Sequence, residues 1–551
     1  MSSTSAAPRD AGARFDVIVV GAGFAGMYLL YRLRQMGLTA RVYEAGTSVG
    51  GTWYWNRYPG ARCDAESLAY SYSFSRELEQ EWEWTERYAT QPEILKYAEH
   101  VAERFDLKRD MRFETRVTRA SFDDARAEWS VETDRGDRAI AKFCVMATGC
   151  LSVPQEPNIP GLRDFSREMH WASRWPHHEV RYENKRVGVI GTGSSAIQAI
   201  PVIAETAGHL TVFQRTPNFS VPAVNAPLDP EFARAFKRNY PQHRQNYRLG
   251  LSGGFGDLTI EPQPTVPAFE TSVGKSEAEL RAALERSWRS GGARFCGTIL
   301  DTLANEDTNR FVASYVHEKI RSIVRDPATA EALCPTSHPI GTKRICVDIG
   351  YFETYNRPNV KLVDIAKHPI ERITATGIQI QGGEFHELDM LVMATGFDAM
   401  TGALARIDIR GAGGAKLSDA WAAGPKTYLG IGSVGFPNLF MITGPGSPSV
   451  LSNMLVSIEQ HVDWTLACID WMRQRGFARI EAKPEAQEQW VAHVNEVANG
   501  TLMPRAASWY MGANIPGKPR VFMPYAAGVG VYREICDRVA KNGYEGFAFG
   551  G

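Results

Sequence analysis

The sequence predicts an α/β fold with two strand–turn–helix units of one kind and a helical insertion in the second unit. Residues 16–20 form a wholly apolar run, followed by the turn GAGFAG and by a stretch with helical periodicity. Residues 185–205 repeat this order with the turn GTGSSA. An apolar run, a glycine-rich turn and a helix in this order are typical of a Rossmann-like unit. The stretch 225–335 has high charge and helical spacing, which indicates added helices.

The composition is that of an ordinary globular chain and argues against several classes of partner. The 551 residues include 44% hydrophobic and 22% charged residues, and the net charge is −1. A nearly neutral chain has no strong attraction to nucleic acid or to an acidic membrane, so neither is expected. The eight cysteines form no Cys-x-x-Cys pair. We therefore expect no metal site and no dithiol redox centre, and a cytoplasmic location.

The N-terminal residues 1–14 are small and polar. They lack the apolar core of a signal peptide, so a disordered tail is predicted. No run reaches about 18 apolar residues, and no membrane span is expected.

The first glycine turn, residues 21–26, predicts an FAD site. Gly21 allows a tight turn, Gly23 lets the backbone approach a pyrophosphate, and Gly26 lets helix and strand pack closely. The next predicted strand ends at Glu44. A carboxylate there accepts hydrogen bonds from a ribose and repels a 2′-phosphate, which favours FAD over a phosphorylated dinucleotide.

The second glycine turn, residues 191–196, predicts an NADPH site. Ala196 takes the third glycine position, which the pattern allows. The strand that follows ends in an arginine and a hydroxyl instead of an acid, and both suit a 2′-phosphate. The residues predicted to contact NADPH here are Gly191, Gly193, Ser194, Ser195, Arg215 and Thr216.

Two further apolar runs, 143–150 and 389–398, both end in Ala-Thr-Gly and predict crossings between the two units. The FAD-binding domain is therefore expected to be discontinuous. The predicted division is a tail at 1–14, an FAD-binding domain at 15–150 and 390–551, an NADP-binding domain at 151–224 and 336–389, and a helical insertion at 225–335.

Residues 50–64, GGTWYWNRYPGARCD, are dense in aromatic and charged side chains. They fit [Ala/Gly]-Gly-x-Trp-x4-[Phe/Tyr]-Pro-[Gly/Met]-x3-Asp at every position. This is a fingerprint of type I Baeyer–Villiger monooxygenases. The chain resembles that family from about residue 15 to 548 and looks closest to its phenylacetone monooxygenase branch. Further segments that carry the resemblance are ERYATQPEILKY, VFQRTPNF, GTKRICVDIGYFETYNR, ATGFDAMTGAL, GPGSPSVLSNMLVSIEQHV and ASWYMGANIPGKPRVFMPY.

The resemblance implies roles for particular residues. Arg344 matches the family's active-site arginine, which stabilises negative charge on the reacting oxygens, and Asp64 matches the acid that pairs with it. Lys343 joins the 2′-phosphate site. The remaining implied positions are Trp53 and Tyr58 near the flavin, Trp509 near NADPH and substrate, Asp398 at the domain joint, and Ser449, Val450, Leu451 and Met454 in the substrate pocket.

The resemblance also implies a reaction. NADPH reduces FAD, dioxygen adds to the flavin at C4a, and the resulting peroxyflavin inserts one oxygen atom next to a ketone carbonyl. The product is an ester or a lactone. The expected partners are a small ketone and O2, and the expected state is a monomer.

One family motif departs from its pattern. Phe-x-Gly-x3-His-x3-Trp-[Pro/Asp] aligns without gaps to DFSREMHWASRWP, with Arg167 at the glycine and Trp171 at the histidine. A slipped alignment would use His170 instead. In an extended segment, neighbouring side chains face opposite sides, so His170 is not an automatic substitute. An arginine with the positive φ of the glycine would cost about 1–2 kcal/mol.

Two alternatives remain open from the sequence. A flavin monooxygenase that oxidises sulfides or amines would share both glycine turns, but it would lack the equivalent of Arg344. An uncoupled NADPH oxidase would release only peroxide.

Overall fold

The computed structural model describes residues 10, 12–264 and 270–551. Most of the predicted tail, residues 1–9 and 11, lies outside these residues. The tail prediction is wrong at its C-terminal end, because the first strand already begins at Ala13. Asp10 is buried and forms an ion pair with Arg41 and a hydrogen bond with the Tyr43 hydroxyl, so the chain is packed there.

The first sheet has eight strands in the described part of the chain and draws on both ends of the sequence. The central strand Ala13–Val20 has a parallel neighbour on each side. Its second half is wholly apolar, as is typical of a strand buried within a parallel sheet. The strands run in the order Asp408–Arg410, Val117–Asp123, Glu128–Thr133, Arg138–Met146, Ala13–Val20, Ala40–Tyr43 and Met111–Arg112, with Leu439–Met441 also paired to Arg138–Met146.

The second sheet has five parallel strands in the order Val360–Asp364, His209–Gln214, Arg186–Ile190, Met390–Met393 and Glu168–Trp171. Met390–Met393 pairs with strands on both sides. The domain boundary predicted at residue 390 is therefore wrong by a few residues: the chain leaves the second sheet only after Met393.

The other described strands form smaller sheets. Ser220–Pro222 pairs with Cys346–Asp348, and Arg479–Ala482 pairs with Phe547–Gly550. Ile370–Thr374, Gly377–Ile380 and Phe385–Glu387 form an antiparallel meander.

Helices were predicted within residues 225–335, and the described residues of that range, 225–264 and 270–335, contain five α-helices. Four of them begin after an Asp, Ser or Asn whose side chain accepts a hydrogen bond from the first turn. The five are Pro230–Arg238, Tyr240–Leu249, Glu277–Ser290, Glu306–Ile323 and Pro327–Leu333.

The other described α-helices surround the two sheets. No described helix is both long and apolar enough to span a bilayer. They are Phe24–Gln35, Thr52–Trp55, Arg76–Glu81, Gln91–Arg104, Ser194–Thr206, Tyr351–Thr354, Gly402–Ala405, Leu417–Ala420, Met454–Arg475, Pro484–Asn499 and Val529–Lys541.

Each glycine turn packs against one of the Ala-Thr-Gly segments. Gly21 has φ +108°, and a Cβ there would lie 2.5 Å from the carbonyl oxygen of Ala147. Gly191 has φ +116°, and a Cβ there would lie 2.4 Å from that of Ala394. Both glycines are required by backbone conformation and by close contact. The two Ala-Thr-Gly segments thus lie beside the two glycine turns.

Candidate active site

A single cavity of about 1380 Å³ extends from the first glycine turn to the second. Its wall includes Gly21 and Gly23 at one end and Gly191 and Gly193 at the other. The two predicted cofactor sites therefore open into one space between the sheets.

Gly23 and Gly193 leave room that the protein does not fill. A Cβ at Gly193 would meet nothing within 4 Å, and one at Gly23 would meet only Gly51, at 3.4 Å. Each glycine precedes a helix whose N-terminus has no side-chain cap. Uncapped N–H groups with open space in front of them suit the pyrophosphate of a dinucleotide. Gly26 has a structural role, because a Cβ there would lie 1.9 Å from the Gly21 carbonyl oxygen.

Glu44 is buried at the cavity wall and holds the first turn in place. One carboxylate oxygen accepts the Ala22 N–H at 2.9 Å and the other the Gly46 N–H at 2.7 Å. Burial raises the pKa of Glu44, and these hydrogen bonds oppose the rise. Backbone N–H groups of Ala22, Gly46 and Ala45 use three of the roughly four lone-pair sites of the carboxylate, so the predicted contact with a ribose hydroxyl remains compatible with this arrangement.

Arg215 and Lys343 bring two positive charges together at the second end of the cavity. Burial and the charge of Arg215 both lower the pKa of Lys343. Neither cation has an acidic partner within salt-bridge distance among residues 10, 12–264 and 270–551. Thr216 lines the same wall, and its carbonyl oxygen accepts a hydrogen bond from the Thr192 hydroxyl at 2.9 Å. An unpaired cation pair suits a 2′-phosphate.

Both serines of the second turn face the cavity. Ser194 Oγ lies 3.3 Å from Cys346 Sγ, and both Ser194 and Ser195 line the cavity.

Arg344 and Asp64 meet at the wall between the two cofactor ends. Arg344 Nε donates to Asp64 Oδ2 at 2.6 Å, and Nη2 donates to Oδ1 at 2.9 Å. Nη1 donates to the Val450 carbonyl oxygen at 2.5 Å, and the Phe255 ring centroid lies 4.1 Å from Cζ. Burial acts to lower the pKa of Arg344, but the Asp64 charge outweighs it and the pKa is raised. Arg344 is therefore a fixed cation.

The two aromatic residues predicted near the flavin lie in different environments. Trp53 is buried among the first-sheet helices, and its Nε1 donates to the Tyr70 hydroxyl at 3.0 Å. Tyr58 packs against the second-sheet cluster, and its hydroxyl donates to Gln198 at 2.8 Å. Both line the cavity. The segment 50–64 therefore joins the two units.

Three of the remaining predicted residues line the cavity, and three do not. Trp509, Val450 and Met454 form part of its wall. Asp398 is instead ion-paired with Lys518 at 2.7 Å, behind the wall. Ser449 and Leu451 are also outside the lining, and Ser449 is fully buried with φ +40°.

Many residues of the cavity wall were not predicted from the sequence, and two of them, Phe255 and Gln198, bear on the site. Phe255 lies in an irregular loop, where an aromatic residue carries no pattern. Gln198 follows Ser194 by four residues on the helix Ser194–Thr206, so both lie on one face, and this spacing was the available signal.

The altered linker motif forms an edge strand of the second sheet, Glu168–Trp171. The His170 ring lies 5.3 Å from that of Trp175, whereas Trp171 packs with the cluster around Leu162 and Phe165. The two side chains thus have different surroundings, as an extended segment requires. Arg167 is not among the residues with positive φ, so the strain expected there is absent.

Comparison with known proteins gives one family model that matches part of the chain, and relatives and solved structures that match nearly all of it. A family model described as pyridine nucleotide-disulphide oxidoreductase matches residues 18–248. The chain is 41% identical to cyclohexanone 1,2-monooxygenase of Acinetobacter sp, with 97% of this chain and 96% of that protein covered. It is 40% identical, with the same coverage, to a Baeyer–Villiger monooxygenase of Pseudooceanicola batsensis. A solved oxidised steroid monooxygenase bound to NADP is 51% identical, with TM-score 0.92, and the match covers 98% of this chain and 100% of that one.

These matches confirm the predicted fold class of two Rossmann-like domains. They agree with the two open glycine turns and with the cofactors FAD and NADP(H). The chain belongs to the Baeyer–Villiger monooxygenases, which use FAD and NADPH to insert one oxygen atom of O2 next to a ketone carbonyl.

Proposed function

We propose that the enzyme acts on ketones with an apolar body, cyclic ketones among them, which bind beside Arg344 between the two cofactor ends of the cavity. The observation that carries the proposal is the position of Arg344, which is fixed between the two cofactor ends and adjoins an apolar wall. Phe255, Val450 and Met454 belong to that wall. Relatives named for cyclohexanone and steroid oxidation support this substrate class.

In this proposal the chain supplies charge, position and exclusion of water. Bound FAD supplies the oxygen-activating chemistry, and NADPH supplies the electrons. Arg344 directs a permanent positive charge at the oxygen atoms that carry negative charge during the reaction. Asp64 holds the guanidinium plane through two hydrogen bonds and leaves its charge unaltered. Arg215, Thr216 and Lys343 bind the NADPH 2′-phosphate.

The proposal is tested by a coupling measurement on the FAD-loaded enzyme. Phenylacetone, cyclohexanone and a ketosteroid are each supplied with NADPH and oxygen, and NADPH consumption, ester or lactone formation and hydrogen peroxide release are quantified together. We expect ester or lactone to match NADPH for at least one ketone. Peroxide that matches NADPH with every ketone would support the uncoupled oxidase instead. A thioether in the same assay that yields sulfoxide, without ester from any ketone, would support the sulfide-oxidising alternative.

We further propose that the enzyme is a cytoplasmic monomer. All eight cysteines are free thiols, as expected in a reducing compartment. Light scattering on the holoenzyme at several concentrations tests the monomer: a mass near 61.1 kDa supports it, and twice that mass contradicts it.

A further inference from the structure

One amide side chain, Gln198, connects the second-turn helix Ser194–Thr206 to the segment that carries Asp64. Its Oε1 accepts the Tyr58 hydroxyl at 2.8 Å and the Arg62 N–H at 3.4 Å. Its Nε2 donates to the Arg62 carbonyl oxygen at 3.1 Å. A single side chain therefore binds both ends of the turn from Tyr58 to Arg62.

The backbone of this turn also rests directly on the helix. Gly60 has φ +74°, and a Cβ there would lie 2.4 Å from the Gln198 carbonyl oxygen and 3.0 Å from Val202 Cγ2. No side chain fits between the turn and the helix. Because close-packed elements transmit displacement, a shift of the helix moves the turn.

The turn ends close to the charged pair. Asp64 follows Arg62 by two residues and holds Arg344 through the two hydrogen bonds described above. The N-terminus of the helix is uncapped and lines the cavity, where the NADPH phosphates are predicted to bind. One continuous set of contacts thus runs from the nucleotide end of the cavity to Arg344.

We propose that Gln198 is a positioning residue that couples nucleotide binding to the Asp64–Arg344 pair. Bound NADP⁺ fixes the helix, the helix fixes the turn through Gln198, and the turn fixes Asp64. Coupling between two sites is reciprocal, so a correctly placed pair also favours NADP⁺ binding. The inference rests on the proposed role of Arg344 and adds to it the residue through which the nucleotide acts.

Two variants of the holoenzyme separate this role from a purely structural one. Gln198→Ala removes the connection to the turn. Asn359→Ala is the matched control, because Asn359 Nδ2 donates to the carbonyl oxygens of Ala204 and Ala207, at 3.0 and 2.9 Å, at the far end of the same helix. Both variants remove one amide that makes two or three hydrogen bonds to or from this helix.

We expect Gln198→Ala to raise the Kd for NADP⁺, read from the flavin absorbance change, about tenfold, since the three hydrogen bonds that hold the turn on the helix are lost. It should also divert NADPH from ester to peroxide. Asn359→Ala should leave the Kd and the product ratio within about twofold, because its hydrogen bonds lie away from the turn. Tyr58→Phe should shift the Kd and the product ratio in the same direction as Gln198→Ala. The double variant should differ little from Gln198→Ala alone, because the hydrogen bond between the two side chains is already lost.

Equal Kd values and equal product ratios in Gln198→Ala and Asn359→Ala would overturn the inference, even if the two variants differ in Tm. If the unmodified enzyme makes no ester from any ketone, the proposed function fails, and the Kd measurement decides alone on Gln198. An unchanged Kd then overturns the coupling, and a tenfold rise supports it.

Discussion

At the scale of single residues, Arg344 is held by three groups from distant parts of the chain. A carboxylate, a backbone carbonyl and an aromatic face each occupy one part of the guanidinium. Only an arginine offers a planar fork with donors on several sides. A lysine would keep the charge and lose this fixed geometry.

Arg344→Lys therefore tests geometry at constant charge. We expect ester formation to fall about 100-fold, the typical effect of removing one preorganised donor. Flavin reduction by NADPH under anaerobic conditions should change only a few-fold. Stopped-flow flavin absorbance and product analysis measure the two steps.

The exposed Arg289, which pairs with Glu285 on a surface helix, is the control for that substitution. Arg289→Lys should leave both steps unchanged. Equal ester yields from Arg344→Lys and Arg289→Lys would contradict the role of the fork.

Lys343 and Arg215 predict the coenzyme preference. Lys343→Ala removes one of two cations that lack an acidic partner among the described residues, so we expect the KM for NADPH to rise about tenfold or more. The KM for NADH, which has no 2′-phosphate, should stay within about twofold, because no charge pair is lost. Steady-state kinetics with both coenzymes measure this, and an equal rise for NADH would contradict it.

The sequence predicted the charged centre better than its surroundings. Arg344, Asp64 and the glycines of both turns have patterns at fixed spacing, and all except Gly26 line the cavity. Phe255 and the Val450 carbonyl have no such pattern, because a loop ring and a backbone oxygen are placed only by tertiary packing. Ser449 and Leu451 were predicted to line the pocket and do not. Their neighbours Val450 and Met454 line the cavity, whereas the local turn directs Ser449 and Leu451 away from it.

At the scale of elements, the strand pair Ser220–Pro222 and Cys346–Asp348 places Arg344 two residues before a buried strand. This pair ends at Asp348, whose carboxylate accepts hydrogen bonds from Ser220 Oγ and the Tyr351 N–H. Burial raises the pKa of Asp348 to about 6, and the hydrogen bonds oppose the rise.

Asp348 therefore predicts a pH dependence of stability. A carboxyl whose folded pKa lies above its unfolded value of 3.8 stabilises the fold fully below 3.8 and loses that contribution as pH rises through about 6. Asp348→Asn keeps the polar shape and cannot ionise. We expect the Tm of this variant, relative to the unmodified enzyme, to increase between pH 4 and pH 7, as measured by calorimetry. A constant difference across this range would contradict the assignment.

The sequence predicted element types well and one element boundary poorly. Apolar runs and glycine turns identified the strands and helices of both units, because their periodicity is local. The run 389–398 was predicted to cross between the units with the boundary at residue 390, yet Met390–Met393 pairs in the second sheet. Strand pairing is decided by partners distant in sequence, which no local pattern reveals.

At the scale of the whole molecule, one cavity extends between two units, each with one predicted cofactor site. Ligands that bind only the folded state stabilise it, so NADP⁺ at about 100 times its Kd should add about 2.7 kcal/mol to the free energy of unfolding. NAD⁺ at the same concentration should add much less, because it lacks the 2′-phosphate. Thermal unfolding of the FAD-loaded enzyme with each nucleotide measures the difference. Equal Tm shifts for the two nucleotides would contradict the predicted site.

The discontinuous first sheet has a consequence for synthesis on the ribosome. The second sheet has all its strands once Met393 has emerged, whereas the first sheet still lacks Asp408–Arg410 and Leu439–Met441. Domains fold as units once their sequence is available, so the unit that begins later in the chain is completed earlier. The N-terminal strands therefore gain their last two sheet partners only after the C-terminal part of the chain has been translated.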